Sequence, residues 1–302
     1  MNIECPFHQV GLPREGGECP ECGFVVETAP GAKQQYRRVG EPKGIYDSYE
    51  DAYDELAEDD LSASIYAEGY QRDLARKTYS HIGSVSGLEV AELGVGQGFL
   101  QRHFLADKPK SLLALDIAEE YVRNARQIHE GSGNETTSFL TSVGNVEFMP
   151  YRESFDVVVA TDILEHVLNL GNALSRISRM LKPNGRFWCR VPNEEVLGQY
   201  SIYNGQKYEF AHMRFFDKSS LCAQLKEAGF GSFSCHKFGY QAHRLKLGMP
   251  SLMSRVLGKI FALSGFYGSE LDHFNRKMMS SLQWPVRILH QPLEILVGAT
   301  KT

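Results

Sequence analysis

The chain has 302 residues and a formal net charge of −5, with 42% hydrophobic and 23% charged residues. This composition is ordinary for a globular protein, it supplies no overall basic field for nucleic acid, and no apolar run of about 18 residues predicts a spanning helix. The first residues lack the basic start and apolar stretch of a signal peptide, so we expect a cytoplasmic protein.

Two pairs of metal-ligand residues mark the N-terminal segment 1–30. Cys5 and His8 form the first pair and Cys19 and Cys22 the second, with two residues inside each pair. Four such ligands complete a closed tetrahedral site, so the pattern predicts a zinc-ribbon-like module that holds a structural Zn²⁺. A segment this small cannot bury a core unaided, so the metal would dominate its folding. The module could buttress the main domain, cap the substrate or bind a partner.

Residues 31–64 are predicted to be a linker and an acidic helix between this module and a main domain at residues 65–302. The linker is basic, whereas residues 45–60 are strongly acidic. Charge runs of this kind are typical of a solvated helix face. Residues 62–82 are predicted to continue as a helix, because tyrosine and leucine recur near helical spacing.

From residue 88 onward, strand and helix patterns alternate. The predicted strands are 88–93, 111–116, 137–140, 155–160, 186–191, 230–238 and 293–299. The predicted helices between them begin near residue 99 and cover 119–130, 172–181 and 219–228. This alternation predicts an α/β fold in which a parallel sheet carries helices on both faces.

A glycine-rich turn follows the first of these strands and precedes a helix. Gly94, Gly96 and Gly98 form the turn, Glu92 precedes it, and Asp116 ends the next strand. Glycines let the backbone approach a ligand closely, and a carboxylate at the second strand end can accept both hydroxyls of a ribose. The third glycine comes one residue earlier than in dinucleotide sites, and an acid beside the turn suits a cationic ligand better than a pyrophosphate. An ordinary βα turn and a nicotinamide or flavin site are the alternatives.

Five motifs in order resemble the class I S-adenosylmethionine-dependent methyltransferases over about residues 65–302. They are Glu92–Gly98, Asp116, Gly144–Pro150, Phe155–Val167 and Leu181–Gly185. The resemblance implies a Rossmann-like seven-stranded methyltransferase sheet, S-adenosylmethionine as cofactor and an enzyme that transfers a methyl group. The cofactor-binding residues that it implies are Glu92, Gly94, Gly96, Gln97, Gly98, Asp116, Ile117, Asn145, Val146 and Thr161. The family usually has Asp where Asn145 stands, so adenine would be contacted through the amide oxygen.

The loop after the fourth strand holds the candidate catalytic residues. Asp162, Glu165 and His166 share one face if residues 162–168 form a helical turn. His166 could act as a general base, the trio could bind a second divalent metal, or the residues could only shape the loop. In support of a metal, the run Asp162, Glu165 and His166 resembles the Glu-x-x-Glu-His metal motif of ubiquinone-pathway O-methyltransferases, with Asp at the first position. His212 is a second catalytic candidate, because the corresponding stretch lines the active site in related enzymes.

Residues 239–290 form an insertion that is too long for a simple hairpin connection. Apolar residues at helical spacing predict a helical C-terminal cap, with Leu252, Met253, Val256, Leu257, Ile260, Phe261 and Leu263 on one stripe. The stripe could pack on the domain or on a second copy in a homodimer, cover an apolar substrate or lie on a membrane surface.

The leading functional hypothesis is methyl transfer to a small-molecule biosynthetic intermediate, such as a sugar, a phenol or quinone-like compound, or a lipid-linked compound. The alternatives are an RNA methyltransferase that uses the zinc module for RNA recognition, and a cofactor-binding scaffold without catalysis. The basic linker favours RNA slightly, whereas the acidic stretch and the net charge oppose it.

Overall fold

The structure is a computed structural model that describes residues 1–27, 44–63, 68–194, 212–245 and 290–302. The basic linker and the apolar stripe at residues 252–263 lie outside the described residues. Within them, no helix combines the length and the apolar character needed to cross a membrane.

The N-terminal part of the chain contains short strands followed by two helices. The strands are β1 (Asn2–Glu4), β2 (Gly11–Leu12), β3 (Gly16–Glu18) and β4 (Val25–Glu27). The helices are α1 (Ile45–Ala63) and α2 (Glu68–Ile82). The helix predicted at residues 62–82 therefore begins at Glu68, and α1 covers the acidic stretch.

The rest of the described chain alternates strands and helices, as the sequence predicts. The elements are β5 (Glu89–Leu93), α3 (Phe99–Asp107), β6 (Ser111–Asp116), α4 (Glu119–Gly131), β7 (Ser138–Val143), β8 (Tyr151–Arg152), β9 (Phe155–Thr161), α5 (Leu170–Met180), β10 (Leu181–Pro192), α6 (Lys218–Glu227), β11 (Phe230–Leu245) and β12 (His290–Lys301). The strands predicted at 137–140, 230–238 and 293–299 are longer than expected, because neighbouring strands pair with residues that carry no strong strand pattern of their own.

Among the described residues, seven strands form one sheet in the order β11-β12-β10-β9-β5-β6-β7. The pairs among β10, β9, β5, β6 and β7 are parallel, whereas β12 runs antiparallel to both of its neighbours. This confirms the predicted α/β class and the Rossmann-like seven-stranded sheet. Residues 157–160 of the central strand β9 are fully buried on both faces, which is why this strand reads as a continuous apolar run.

The N-terminal strands dock onto the main sheet domain. β1 pairs with β2 on one edge and with β8 on the other. The fully buried carboxylate of Glu4 forms ion pairs with Arg176, at 3.2 Å, and with Arg179, both on α5. Because a buried charge is costly without partners, this network couples the N-terminal strands to α5.

Helix α1 is not the solvated acidic helix that its charge pattern predicts. Ala57 is fully buried, and Glu50 and Asp60 are 7% and 2% exposed. Residues three and four positions apart share one face of a helix, and that face of α1 packs against α4 and the glycine turn. The exposed acids occupy the opposite face, so the charge run describes only half of this helix.

Candidate functional site

A cavity of about 440 Å³ lies where the parallel strands β5, β6 and β9 end. Residues of the loops after these strands line the cavity, and residues of helices α1 and α2 complete the lining. Ligands of open α/β sheets bind outside the carboxyl ends of the strands, so this position is the one expected for a nucleotide-like ligand. All predicted cofactor-binding residues line this cavity.

The glycine turn requires glycine for two different reasons. Gly94 and Gly96 have φ angles of 69° and 49°, where side chains are disfavoured. A Cβ atom on Gly94 would lie 1.9 Å from Cδ1 of Ile163, so the Ile163 side chain would have to shift to admit it. A Cβ atom on Gly96 would meet no atom of the described residues within 4 Å, and Gly96 lines the cavity.

Asp116 is held in place by the backbone of the glycine turn. Its Oδ2 accepts a hydrogen bond from the Gly96 amide at 2.9 Å, and its Oδ1 accepts one from the Ala118 amide at 3.1 Å. Burial raises the pKa of this carboxyl to about 6, although the backbone donors oppose the shift. A ligand that donates hydrogen bonds would therefore favour the ionised form.

Glu92 brings a second carboxyl to the same cavity. The residue is 2% exposed, and its Oε2 has no hydrogen-bond partner among the described residues. Burial, together with the neighbouring Asp116, raises the pKa of Glu92 well above its usual range. A buried carboxyl oxygen without a partner is costly, so a ligand with a cationic donor would stabilise it.

Asn145 begins the short 3-10 turn Val146–Phe148. Its amide Oδ1 accepts a hydrogen bond from the Glu147 amide at 2.9 Å. One lone pair of the oxygen expected to contact adenine is thus already used in capping the turn. Val146 and Thr161 line the cavity on either side, as do Gln97 and Ile117.

The candidate catalytic residues are arranged differently from the expectation. Residues 164–166 form a single turn rather than a helix. Asp162 has a φ of 57° and forms an ion pair with Arg190. The group whose ligand atoms all lie within 4.8 Å of one another is Glu165, His166 and His212. Asp162, the first member of the trio expected from sequence spacing, lies outside this group because the guanidinium of Arg190 on β10 engages it, and its catalytic role stays a prediction.

His166 is oriented by a tyrosine of α1. The Tyr53 hydroxyl lies 2.7 Å from Nδ1 of His166. Tyr49 of the same helix donates a hydrogen bond to the His166 carbonyl at 3.2 Å. The rings of His166 and His212 meet edge to face at 4.5 Å between centroids. Nδ1 thus faces the Tyr53 hydroxyl, and Nε2 lies 4.0 Å from Oε1 of Glu165.

Backbone contacts fix the loop that carries His166. The fully buried Glu147 accepts hydrogen bonds from the amides of Leu168, at 2.7 Å, and Asn169, at 3.0 Å. Arg214 donates to the carbonyls of Val167 and Leu168. This anchoring from both sides keeps the catalytic candidates in place against the cavity.

The described part of the cavity wall is strongly acidic. Six carboxyl groups line it and one guanidinium opposes them: Asp60, Glu92, Asp116, Asp162, Glu165, Glu294 and, as the cation, Arg190. Carboxylates in a confined, poorly solvated space repel anions and attract cations. Sequence reasoning missed Tyr49, Tyr53 and Asp60, although their spacing along one face of α1 was a readable signal.

The four predicted zinc ligands converge at the N-terminus. Their ligand atoms, from Cys5, His8, Cys19 and Cys22, all lie within 4.8 Å of one another. Cys5 Sγ is 3.6 Å from Cys22 Sγ and 3.9 Å from Nδ1 of His8. Tetrahedral zinc with Zn–S bonds of about 2.3 Å separates two sulfurs by about 3.8 Å, so these residues fit such an ion.

Comparisons with known proteins agree with this geometry. A family model described as a methyltransferase domain matches residues 91–189. Ubiquinone biosynthesis O-methyltransferases are similar in sequence: that of Bradyrhizobium diazoefficiens is 30% identical over 121 residues, which cover 39% of this chain and 46% of that protein. That of Photobacterium profundum is 24% identical over 155 residues, which cover 49% of this chain and 65% of that protein. The chain thus spans roughly half to two thirds of these curated relatives.

A solved structure has the same fold. A chain from the complex of the Haloferax volcanii Trm112 methyltransferase activator with a methyltransferase superposes with a TM-score of 0.54 at 17% identity, over 84% of this chain and 97% of that chain. The matched residues 91–189 contain the glycine turn, Asp116 and the loop of His166. Residues 91–189 of this chain therefore match a methyltransferase domain, and the chain has the fold of that solved structure.

Proposed function

We propose that this protein transfers the methyl group of S-adenosylmethionine to a hydroxyl of a small-molecule biosynthetic intermediate, such as a sugar, a phenol or quinone-like compound, or a lipid-linked compound. The carrying observation is that the glycine turn, Asp116 and the histidines 166 and 212 line one cavity. A hydroxyl acceptor requires a general base, which a histidine can supply. The relatives named as O-methyltransferases support a hydroxyl as the acceptor.

The residues of the cavity fit this cofactor. Bound S-adenosylmethionine supplies a methyl group activated by a sulfonium. Asp116 would accept hydrogen bonds from the ribose hydroxyls, and Glu92 offers a buried carboxyl oxygen to a cationic donor. The space above Gly96 lets the ligand lie against the backbone. The excess of carboxyl groups favours a cofactor with a positive charge over a pyrophosphate.

The loop of His166 supports an in-line displacement. Bound S-adenosylmethionine would supply the methyl group to the acceptor oxygen and leave as the thioether, and Nε2 of His166 would take the hydroxyl proton. Neutral imidazole suits this role near pH 7. The cavity would hold the two reactants in contact, and such proximity accounts for much of the rate in a transfer of this kind.

A divalent metal at Glu165, His166 and His212 is the second mechanism that a specific observation favours. The fully buried Glu165 lies beside the two imidazoles, with its Oε1 4.0 Å from Nε2 of His166. One carboxylate and two imidazoles form a donor set that transition metals accept. Metal in the purified protein that is lost in a His212→Ala variant, with the N-terminal cysteines intact, would favour this mechanism over a free base.

The acidic cavity bears on the RNA methyltransferase alternative. Phosphate binding requires local positive charge, and Arg190, the one cation of the described cavity wall, is engaged by Asp162. We therefore keep the small-molecule acceptor as the proposal. A salt-dependent shift of RNA mobility with this protein would reverse that choice.

The N-terminal residues Cys5, His8, Cys19 and Cys22 are proposed to hold a structural Zn²⁺ in a zinc-ribbon-like module. Support comes from the convergence of four ligand atoms, and from the backbone amide of His8 that approaches Cys5 Sγ at 3.5 Å. All four positions are filled by the protein, which is typical of a structural site. The pairing of β1 with β8 makes support of the main domain the favoured role.

The organisation into a module at 1–30, a linker and acidic helix at 31–64 and a methyltransferase domain at 65–302 is proposed with one change. Because α1 lines the cavity, this helix belongs with the cofactor site rather than with the linker.

The proposed function is tested by binding and turnover together. Calorimetry should detect S-adenosylhomocysteine binding, and S-adenosylhomocysteine should form from S-adenosylmethionine when a pool of phenols, sugars and lipid extracts is added. His166→Ala should lower the rate by roughly 10²–10⁴-fold without changing cofactor affinity. The matched control is His103→Ala, which lies outside the cavity and stacks on Tyr79. Absence of any binding would refute the proposal, and binding without turnover of any acceptor would favour the scaffold alternative.

A further inference from the structure

Helix α1 contributes a buried carboxyl group to the cavity, and none of the sequence motifs assigns a role to this group. Asp60 is 2% exposed and lines the same cavity as Gly96 and Asp116. Its Oδ2 accepts a hydrogen bond from the Tyr121 hydroxyl at 2.7 Å, which fixes the orientation of the carboxyl group. Its Oδ1 is buried and has no hydrogen-bond partner among the described residues.

The contacts of α1 place this carboxyl beside the proposed ribose site. Ala57, one turn earlier, packs in a cluster with Val95 of the glycine turn and Ala118 of the loop after Asp116. Another residue of α1, Asp54, accepts a hydrogen bond from the Glu119 amide at 3.0 Å. Helix α1 is thus anchored to the start of α4. This part of α4 follows Asp116 closely in sequence and contributes Tyr121 to the cavity lining.

A buried carboxyl oxygen without a partner is destabilising, so its presence in a cavity points to a ligand donor. We propose that Asp60 is a cofactor-binding residue whose Oδ1 accepts a hydrogen bond from a donor of S-adenosylmethionine, either a ribose hydroxyl or the ammonium of the methionine part. Tyr121 is the positioning residue that holds the other oxygen. This inference rests on the proposed function, and it assigns to α1 a part in cofactor recognition.

The test compares two ligands by calorimetry with the full chain. S-adenosylhomocysteine carries both the ribose and the ammonium, whereas 5′-methylthioadenosine carries only the ribose. Asp60→Ala should weaken S-adenosylhomocysteine binding by about 10- to 100-fold, the effect of losing a hydrogen bond to a charged group. Weakening of both ligands assigns the contact to the ribose, and weakening of S-adenosylhomocysteine alone assigns it to the ammonium.

Asp59→Ala is the matched control, because Asp59 neighbours Asp60 on the same helix but is exposed. It should leave both affinities unchanged. If Asp60→Ala does not fold, Asp60→Asn keeps the shape of the side chain and should still weaken binding through the lost charge. Wild-type affinity for both ligands in a folded Asp60 variant overturns the inference, whereas failure of the wild-type chain to bind either ligand overturns the proposed function instead.

Discussion

Gly96 offers a test of where the cofactor lies, because its replacement separates backbone strain from ligand contact. At a φ of 49°, alanine costs about 1–2 kcal/mol relative to glycine. No steric cost adds to this, since the new Cβ meets no atom within 4 Å. Gly96→Ala should therefore lower the midpoint of thermal unfolding by only a few degrees, about 2–4 °C for each kcal/mol in a chain of this size.

Cofactor binding should respond far more strongly than stability. The added methyl group enters the cavity at the point where the proposed ligand approaches the backbone. We expect S-adenosylhomocysteine affinity to fall at least about tenfold, or about 1.4 kcal/mol. Calorimetry on the folded variant measures this loss directly.

The control is Gly133→Ala, at a φ of 65° and with open space around its Cβ, on the exposed surface after α4. It should lose similar stability and no affinity. Gly94→Ala should lose more stability than either, because its Cβ would collide with Ile163. Unchanged affinity in Gly96→Ala would refute the placement of the ligand against the glycine turn.

Three further predictions concern pH, a histidine partner and the N-terminal strands. Burial in the cavity raises the pKa of Asp116 to about 6, and hydrogen-bond donors of the ligand require the ionised carboxylate. Affinity for S-adenosylhomocysteine should therefore be full above pH 7 and fall by up to about tenfold per pH unit below pH 6. Calorimetry across this pH range measures the affinity, and a flat profile would contradict the prediction. Tyr53→Phe removes the contact to Nδ1 of His166, so it should lower kcat about tenfold and shift the pH profile of kcat while cofactor affinity is unchanged. An unchanged pH profile would argue against the positioning role of Tyr53. Tyr79→Phe is the control, because Tyr79 lies outside the cavity. Glu4→Gln should lower the free energy of unfolding by about 3–5 kcal/mol, since Arg176 and Arg179 lose their buried counter-charge. Chemical denaturation measures this change, and Glu15→Gln, at an exposed position, should have no effect. A loss below about 1 kcal/mol would mean that the ion-pair network contributes little to stability.

Local pattern explains why the central sheet could be predicted. The strands β5, β6 and β9 carry apolar runs bounded by glycine, aspartate or threonine, so their type and order are visible without any long-range contact. The glycine turn and Asp116 lie next to these strands in sequence. The residues of the proposed cofactor site could therefore be identified from residue types at short spacing.

The side of the cavity that contains His166 depends on contacts between distant residues. His212 joins Glu165 and His166 across more than 40 positions, and Arg190 removes Asp162 from that group. Spacing within one loop cannot reveal such partners, because they come from other strands and loops. This is why sequence spacing grouped Asp162 with Glu165 and His166 and did not group His212 with them, although His212 was a candidate.

The sequence by itself determined the α/β class, the position of the glycine turn and Asp116, and the two N-terminal pairs of cysteine and histidine residues, because each depends on residues close together in the chain. Only the tertiary structure decided what α1 does. Its composition predicts a solvated helix, yet the face with Tyr49, Tyr53 and Asp60 covers the cavity. Packing selects which face of a helix is buried, and that selection turned an acidic stretch into a wall of the candidate site.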